Sequence, residues 1–280
     1  MTAKLNSAPA EHAPPRGAEE PVLEFDDIAK SFPKPRGDEV LKVLDGVTFS
    51  VRANQFTAIV GPSGCGKSTL LQLATGLDSP SRGVVRYRGE VVTDINREIG
   101  YITQQANLFP WLTLFKNVEL PLIVRDVPRG ERADRVAQYL RLAGLSGFEN
   151  HYPHQLSGGM QKRASIVRTL IYAPPLVVMD EPFGALDAQT RMIMHRDLLR
   201  LWEEQQQTVV FVTHDLQEAV TLADRVVLLN RPPTGVKAQV AIDLPRPRDA
   251  FEPYAMSGYV ETYDRVWGMF RSEVIPDDNA

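Results

Sequence analysis

Length and composition narrow the possibilities before any motif is considered. The chain has 280 residues, enough for one large domain or two small ones, and its 43% hydrophobic content is ample for a buried core. Lys and Arg number 31 against 35 Asp and Glu, so a net charge of −4 argues against a nucleic-acid-binding protein. The single cysteine excludes an internal disulfide. Neither a secretory signal nor an apolar run of about 18 residues is present, so we expect no membrane span.

The N-terminal part combines a polar tail with short strands. Residues 1–20 are rich in Ala, Pro and Glu and lack apolar periodicity, so we predict a disordered tail. Alternating patterns at Val22–Phe25 and Val40–Val51 predict a small antiparallel sheet, with a turn expected at Asp45-Gly46. Phe32 falls in the loop between these strands. Its ring could stack on a nucleotide base or simply pack on its neighbours.

A phosphate-binding loop is the most specific motif in the chain. It comprises Gly61, Pro62, Ser63, Gly64, Cys65, Gly66, Lys67, Ser68 and Thr69, which fit the pattern G-x-x-x-x-G-K-[ST]. The apolar run Phe56–Val60 predicts a buried strand before it, and leucines at helical spacing predict a helix after it. Glycines and a helix N-terminus present backbone amides to a phosphate. Lys67 can then reach the outer phosphates, and Ser68 offers a hydroxyl to Mg²⁺.

The middle of the chain carries an aromatic cluster and a helical stretch. Ile99–Ile102 predicts a short strand followed by Gln104 and Gln105. Next comes a group of large apolar side chains around a proline, which is either buried or a docking surface; it consists of Leu108, Phe109, Pro110, Trp111 and Leu112. Helical spacing continues through residues 113–147. Ser157-Gly158-Gly159 at the start of a further helix is a second anion-binding pattern, although a weak one by itself.

Two later strands end in residues that suit phosphate chemistry. The buried run Leu176–Met179 ends in Asp180 and Glu181, at the edge where parallel sheets bind ligands. Asp180 can hold Mg²⁺, and Glu181 can orient or deprotonate an attacking water; the alternative is a pair of exposed carboxylates that cap a helix. A further strand ends at His214, which could contact a γ-phosphate or be purely structural.

These residues together resemble the ATP-binding subunit of an ABC transporter over roughly residues 22–250. Gly61–Thr69 is similar to the Walker A motif, and Leu176–Glu181 to Walker B with its catalytic glutamate. Other matches are Gln104 to the Q-loop, Asp187 to the D-loop, His214 to the switch histidine, Phe32 to the adenine-stacking position, and Leu156, Ser157, Gly158, Gly159 and Met160 to the signature sequence. Thr103 and Gln105 replace the phenylalanine and glutamate common beside the Q-loop glutamine.

The resemblance implies a fold and a domain organisation. We expect an α/β P-loop NTPase core with a mostly parallel sheet, an N-terminal antiparallel β subdomain and an inserted helical subdomain. The nucleotide-binding domain would span 21–250, with the helical signature subdomain at 106–172. Residues 251–280 would form a C-terminal helical extension, whose apolar face favours core packing, with a dimer contact as the alternative.

The resemblance also implies a mechanism and partners. Two copies would form a homodimer around two ATP molecules, each ATP lying between Walker A of one copy and Ser157–Met160 of the other. Mg²⁺ would be held by Ser68, Gln104 and Asp180, with Lys67, Glu181 and His214 catalysing hydrolysis. The Leu108–Trp111 stretch would dock on an integral membrane permease, and a solute-binding protein would take part indirectly. The subunit would be peripheral, at the cytoplasmic face of the inner membrane, without a nucleic-acid partner.

Within the family, three stretches resemble the importers for nitrate, aliphatic sulfonates and taurine. They are the Leu108–Leu112 cluster, Met160 in the signature, and residues 243–249. An exporter subunit, or a soluble ABC ATPase acting on DNA or ribosomes, is the alternative. A GTPase would need an Asn-Lys-x-Asp motif, and the chain has none.

Overall fold

The computed structural model describes residues 21–34, 39–184, 186–205 and 207–275. The predicted tail at 1–20 lies outside these ranges, as do the final residues 276–280 of the predicted extension. The strands are β1 Pro21–Pro33, β2 Val40–Arg52, β3 Phe56–Val60, β4 Arg82–Tyr87, β5 Glu90–Val91, β6 Ile99–Ile102, β7 Leu176–Asp180, β8 Thr208–Thr213, β9 Arg225–Leu229 and β10 Val236–Ala241. The α-helices are α1 Lys67–Thr75, α2 Leu114–Val124, α3 Arg129–Leu142, α4 Gly158–Leu170, α5 Ala188–Gln205, α6 Leu216–Leu222 and α7 Tyr259–Val274. None of the helices in the described ranges is both long and apolar enough to cross a bilayer.

The strands form two sheets. The first is antiparallel, in the order β2-β1-β4-β5. The second has the order β10-β9-β3-β8-β7-β6; its pairs are parallel except for β10, which joins β9 antiparallel at one edge. This confirms the predicted α/β class, with a mostly parallel core and a separate antiparallel sheet.

The central strands of the parallel sheet are buried on both faces. All residues of β3, β7 and β8 are buried, which explains why each reads as a nearly continuous apolar run. In β8, Val209 and Phe211 belong to the core shared with the helices α2 to α7. Val210 and Val212 belong to a second core, shared with α1 and the antiparallel sheet. The sheet therefore separates two apolar cores, and functional side chains come from its carboxyl edge.

Helices α2, α3 and α4 are inserted between β6 and β7, inside the predicted segment 106–172. They share one apolar core through residues such as Val118, Leu140 and Ala164, which are fully buried. At the C-terminus, α7 packs on α6, and the Tyr259 hydroxyl lies 3.2 Å from Thr221 Oγ1. The apolar face predicted near the C-terminus is therefore used, at least in part, for core packing.

The antiparallel sheet differs from the prediction in two places. The turn expected at Asp45-Gly46 is wrong, because β2 runs through it; Gly46 has φ +69° and the pairing with β1 shifts register there, as at a β-bulge. Phe32 lies in β1 and pairs with Leu41, so its placement in a loop is also wrong. Pro33 suggested a loop, but β4 pairs with β1 only as far as Ala29, so Pro33 lies where one edge of β1 is unpaired and a proline is tolerated.

Candidate functional site

The phosphate-binding loop connects β3 to α1, as the motif requires. Gly64 and Gly66 adopt φ of +77° and +91°, a region that favours glycine. A Cβ on Gly66 would come within 2.6 Å of Val43 Cγ1, so only glycine fits there. Ser63 and Gly64 are exposed, which leaves the concave side of the loop open to a ligand. The loop has the form of a phosphate cradle at a helix N-terminus.

Lys67 is folded back into this loop. Its Nζ donates to the carbonyl oxygens of Gly61 at 2.9 Å and Pro62 at 3.1 Å, and the side chain is only 5% exposed. Nζ also lies 3.6 Å from Glu181 Oε1. An ammonium group held at the loop by two neutral carbonyls and one carboxylate can exchange these partners for phosphate oxygens without leaving its place.

Ser68 and Asp180 come together at the other side of the loop. The Ser68 hydroxyl donates to Asp180 Oδ1 at 3.0 Å. Burial raises the pKa of Asp180, the hydrogen bond from Ser68 opposes this rise, and the nearby Glu181 charge adds to it. A divalent cation would offset the cost of keeping this carboxylate charged. The oxygen donors fit Mg²⁺, which is usually held by one or two carboxylates together with substrate phosphates.

No self-contained metal cage competes with this interpretation in the part of the chain that the structure describes. There, no group of three or more His, Cys, Asp or Glu side chains could hold a metal ion. Ser68 and Asp180 supply two of the oxygen ligands that Mg²⁺ would need there, and phosphate oxygens or water would supply the others.

Glu181 and His214 meet at the ends of neighbouring strands. Glu181 follows β7 with φ +41°, and its amide donates to the Val212 carbonyl of β8 at 3.0 Å. Its Oε2 lies 3.2 Å from His214 Nδ1, while Oε1 faces Lys67. The His214 side chain is 56% exposed and so can reach a ligand. The Glu181 carboxylate thus lies between the Lys67 ammonium group and the His214 imidazole, next to the loop that would bind the terminal phosphate.

The signature residues form a separate site. Ser157 caps α4 by accepting from the Met160 amide at 3.3 Å, and Gly158 is exposed. Together with Gln104 and Leu186, Gly158 lines a cleft of about 450 Å³. Among the described residues, no hydrogen bond or ion pair joins the signature to the phosphate loop. The structure therefore brings the Q-loop and the signature together, while the described contacts of Lys67 do not include the signature of its own chain.

The remaining predicted residues divide into exposed and buried positions. Asp187 is exposed, and the Thr190 amide, donating at 2.9 Å, holds its pKa below the usual range. Phe32 is half-buried, with Lys30 Nζ 5.1 Å from the centre of its ring. Cys65 is fully buried, and burial raises the pKa of its thiol, which disfavours the reactive thiolate. Leu156 is also buried.

The aromatic cluster lies at the surface. Trp111 is 70% exposed, and its ring centre is 5.4 Å from that of Phe109. The fully buried Asn117 holds the backbone beneath: its Oδ1 accepts from the Phe109 amide at 2.7 Å, and its Nδ2 donates to Leu112 O at 3.0 Å. Trp111 is therefore not buried, and its use in docking stays a prediction. We call residues 108–112 the docking cluster.

Sequence reasoning missed a buried polar network behind the switch histidine. Glu218 is 5% exposed, accepts from Thr213 Oγ1 at 2.7 Å and lies 3.3 Å from His195 Nε2. Arg191 lies 3.9 Å from Glu218 and donates to the Leu186 carbonyl at 3.1 Å. Asp215 and Glu218 have capping-box spacing, which was the available signal for the helix start, but the spacing does not reveal that Glu218 points inward. The network connects the D-loop with the residues flanking His214.

The fold and this set of side chains define a nucleoside-triphosphate-hydrolysing protein of the P-loop type. A family model described as ABC transporter matches residues 44–184, about half of the chain. This chain belongs to the ABC transporter family, and it is an ATP-binding subunit of that family.

Similar proteins cover most of the chain. An uncharacterized ABC transporter ATP-binding protein of Methanocaldococcus jannaschii is 46% identical, covering 90% of this chain and 92% of its own. The aliphatic sulfonates import ATP-binding protein of Bacillus cereus is 38% identical over 81% of this chain and 88% of its own. The nitrate import ATP-binding protein of Synechocystis is 40% identical over 80% and 83%.

A solved structure supports the fold and the nucleotide. An ATP-binding cassette, described as a dimer in a post-hydrolysis state bound to ADP and phosphate, superposes with a TM-score of 0.70 at 35% identity. The match covers 79% of this chain and 98% of that chain. The predicted family and the predicted ATPase activity are thereby confirmed, and ATP or ADP is the nucleotide of this fold.

Proposed function

We propose that this chain hydrolyses ATP to drive a membrane importer for a small anionic or zwitterionic solute. The observation that carries the proposal is the convergence of Lys67, Ser68, Asp180, Glu181 and His214 at one edge of the parallel sheet. The five side chains come from α1 and from the ends of two neighbouring strands, so the fold, rather than any one motif, brings them together. Their contacts place a cation, a hydroxyl and two carboxylates around one loop.

Each side chain has a role in the hydrolysis we propose. Lys67 exchanges its two carbonyl partners for oxygens of the outer phosphates. Glu181 takes the proton from the attacking water, and His214 orients the Glu181 carboxylate and contacts the γ-phosphate. Mg²⁺, held by Ser68, Gln104 and Asp180, would neutralise charge on the transferring phosphoryl group. The remaining loop residues donate backbone amides, and Phe32 stacks on the adenine.

We infer that the complete site needs two copies of the chain. The exposed Gly158 and the separation of the signature from its own phosphate loop support a signature that serves the partner's nucleotide. The exposed Asp187 directly follows Leu186, which lines the same cleft as Gly158, and Asp187 would lie at the same contact. The dimeric state of the ADP-bound structural neighbour agrees with this arrangement. A homodimer would hold two equivalent sites.

The docking cluster supports a membrane partner. An exposed tryptophan in tilted contact with a second aromatic ring, over a backbone held by a buried asparagine, is a preformed hydrophobic surface. We propose that it receives an integral membrane permease, with a solute-binding protein acting through the permease. The subunit would then lie at the cytoplasmic face of the inner membrane. Relatives named for sulfonate and nitrate import favour nitrate or an aliphatic sulfonate as the transported solute, while taurine rests on the sequence resemblance alone.

The same proposal assigns the parts of the chain. Residues 21–250 would be the nucleotide-binding domain, 106–172 its signature subdomain, and 251–280 an extension. The importer relatives favour import over the exporter alternative as the transport direction. A nucleic-acid partner is not favoured by any feature of the described surface or by the net charge of −4.

Affinity capture tests the proposed function. Tagged Glu181→Gln protein is incubated with ATP and detergent-solubilised membranes, and the retained proteins are identified by mass spectrometry. We expect a polytopic permease, together with a solute-binding protein in its complex. Retention of ribosomal or DNA-repair proteins, with no membrane protein, would contradict the transporter role and leave only the ATPase chemistry.

A further inference from the structure

The segment 103–107, which contains the Q-loop glutamine, has an unusual set of hydrogen bonds. It lies between β6 and the docking cluster and forms neither helix nor strand. All five of its backbone carbonyl oxygens accept a hydrogen bond from a side chain. Four of these five bonds come from one helix, α4, which begins directly after Ser157 of the signature. The backbone carbonyls of so short a loop usually accept hydrogen bonds from the loop itself or from water. Bonds from α4 instead point to a specific attachment of the segment to that helix.

Lys162 of α4 holds the first part of the segment. Its Nζ donates to Thr103 O at 2.6 Å and to Gln104 O at 2.9 Å, and the residue is only 4% exposed. Burying an ammonium group costs free energy unless the group is hydrogen-bonded. The two carbonyl oxygens therefore stabilise the buried Lys162 side chain, and Lys162 in turn fixes the position of the two carbonyls. Burial lowers the pKa of Lys162 to about 8, and the Asp180 carboxylate opposes this shift. Lys162 thus lies within electrostatic reach of the proposed metal ligand Asp180.

Arg168 of α4 holds the second part. Its guanidinium donates to Asn107 O at 2.8 Å and to Ala106 O at 3.3 Å. The same group lies 5.7 Å from the ring centre of Phe109, a member of the docking cluster. Arg168 therefore contacts both the Q-loop segment and the surface proposed to receive the permease.

The segment is also tied to itself. The Thr103 hydroxyl donates to Gln105 O at 2.8 Å and accepts from Asn107 Nδ2 at 2.9 Å. These bonds give a role to Thr103, one of the two residues at which the sequence departs from the family pattern. A segment closed on itself and bound to one helix at both ends cannot move independently of that helix.

We propose that Lys162 and Arg168 are positioning residues that clamp segment 103–107 to the signature helix, so that the docking cluster, Gln104 and the signature move as one unit. The inference rests on the proposed function and identifies how that function would be transmitted inside the chain. A permease that displaces the docking cluster would displace α4, and with it both Gln104 in its own nucleotide site and Ser157 in the partner's site.

Hydrogen–deuterium exchange tests the clamp directly. Lys162→Met keeps the length of the side chain and removes its charge and its donors. We expect peptides covering 103–112 to exchange at least tenfold faster, with the phosphate-loop peptide 61–70 unchanged. Arg163→Met is the matched control, because Arg163 lies on the same helix and donates to a carbonyl outside the segment, Ala143 O at 2.9 Å. Unchanged exchange at 103–112 in Lys162→Met would overturn the proposal.

A kinetic measurement separates positioning from loss of folded protein. We expect the Mg²⁺ concentration for half-maximal ATPase rate, at saturating ATP, to rise at least fivefold in Lys162→Met. A destabilised protein would lose maximal rate without this shift. Should Lys162→Met not fold, Lys162→Gln and Arg168→Lys, which keep a donor, are compared in its place. Faster exchange without any change in the Mg²⁺ dependence would overturn the positioning role.

A second variant distinguishes failure of the clamp from failure of the proposed function. Gln104→Ala should raise the half-maximal Mg²⁺ concentration by itself, because it removes the proposed ligand. An unaffected Gln104→Ala variant would contradict the metal role given to Gln104. In that case exchange at 103–112 alone decides whether the clamp exists.

Discussion

At the scale of single residues, the position of Glu181 is the feature most directly linked to chemistry. Its backbone is in the left-handed region, with φ +41°, where a non-glycine residue is disfavoured by about 1 kcal/mol or more. Its carboxylate is shared between Lys67 and His214. The structure thus holds one acidic group in a strained conformation next to the phosphate loop, which agrees with the catalytic role we propose for it.

Substituting this carboxylate should separate binding from hydrolysis. Glu181→Gln keeps the size of the side chain and removes the proton acceptor, so we expect the steady-state ATPase rate to fall by about 10²-fold or more. ATP affinity, measured by a fluorescent analogue, should stay within a few-fold. Glu131→Gln, at an exposed position of α3, serves as the control. Turnover close to wild type in Glu181→Gln would remove Glu181 from its role.

Lys67 should matter for binding as well as for rate. Lys67→Ala removes the ammonium group and leaves the Gly61 and Pro62 carbonyls without their donor. We expect nucleotide affinity to weaken at least tenfold, equivalent to about 1.4 kcal/mol, and hydrolysis to become undetectable. Isothermal titration and phosphate release measure the two effects. Unchanged ATPase activity would count against the assignment of the whole loop.

At the scale of elements, the N-terminus and the outer face of α6 explain how the residue next to this helix, His214, is held in place. Asp215 caps the helix by accepting from the amides of Gln217 and Glu218. On its outer side, α7 packs against α6 through the buried Tyr259. The C-terminal helix α7 therefore supports α6, which begins two residues after His214. Loss of α7 would destabilise α6 and with it the position of His214.

Alkaline unfolding should report this contact. Burial raises the pKa of Tyr259 to about 12. The unfolded chain loses that proton from about pH 10, and the folded chain keeps it until about pH 12, so stability falls as pH rises through this window. Compared with Tyr259→Phe, wild-type protein should lose about 1–2 kcal/mol more of unfolding free energy between pH 10 and pH 12. Denaturant titrations at both pH values measure the difference.

Tyr152→Phe provides the control, because Tyr152 is 40% exposed. If Tyr259→Phe follows the wild-type curve, the Tyr259 hydroxyl is not held protonated by burial, and α7 is less firmly packed than the structure indicates.

At the scale of the whole molecule, much of the architecture could be predicted from local patterns. The buried strands β3, β7 and β8 read as apolar runs because both sheet faces are covered, and their ends located Asp180 and His214. Long-range pairings could not be read in this way. Neither the burial of Lys162 under segment 103–107 nor the inward direction of Glu218 has a local signal, because each depends on a partner distant in the sequence.

The antiparallel sheet shows the opposite limitation. Pro33 and Asp45-Gly46 are typical turn residues, yet both lie within strands. Pro33 is the last residue of β1, and Asp45-Gly46 forms a bulge in β2. Local preference was overridden there by pairing across 13-residue strands. Thus turn signals inside long ribbons are less reliable than apolar runs in a buried sheet.

The docking cluster yields a prediction about the assembled transporter. Trp111→Ala should reduce permease retention in an affinity capture at least tenfold, because it removes the most exposed large ring of the cluster. Tyr254→Ala, which removes another exposed aromatic side chain in the C-terminal segment, is the matched control. Equal retention by both variants would mean that Trp111 does not contact the permease.

The central claim is that nucleotide is bound between the phosphate loop of one copy and the signature of another. The most direct test is the mass of Glu181→Gln protein in solution, measured by light scattering with and without ATP and Mg²⁺. We predict a shift from one chain to two on addition of ATP, and its loss in the double variant Glu181→Gln, Ser157→Arg, which still binds ATP. A Glu181→Gln protein that binds ATP and stays a single chain, or a double variant that still pairs, would contradict the composite site.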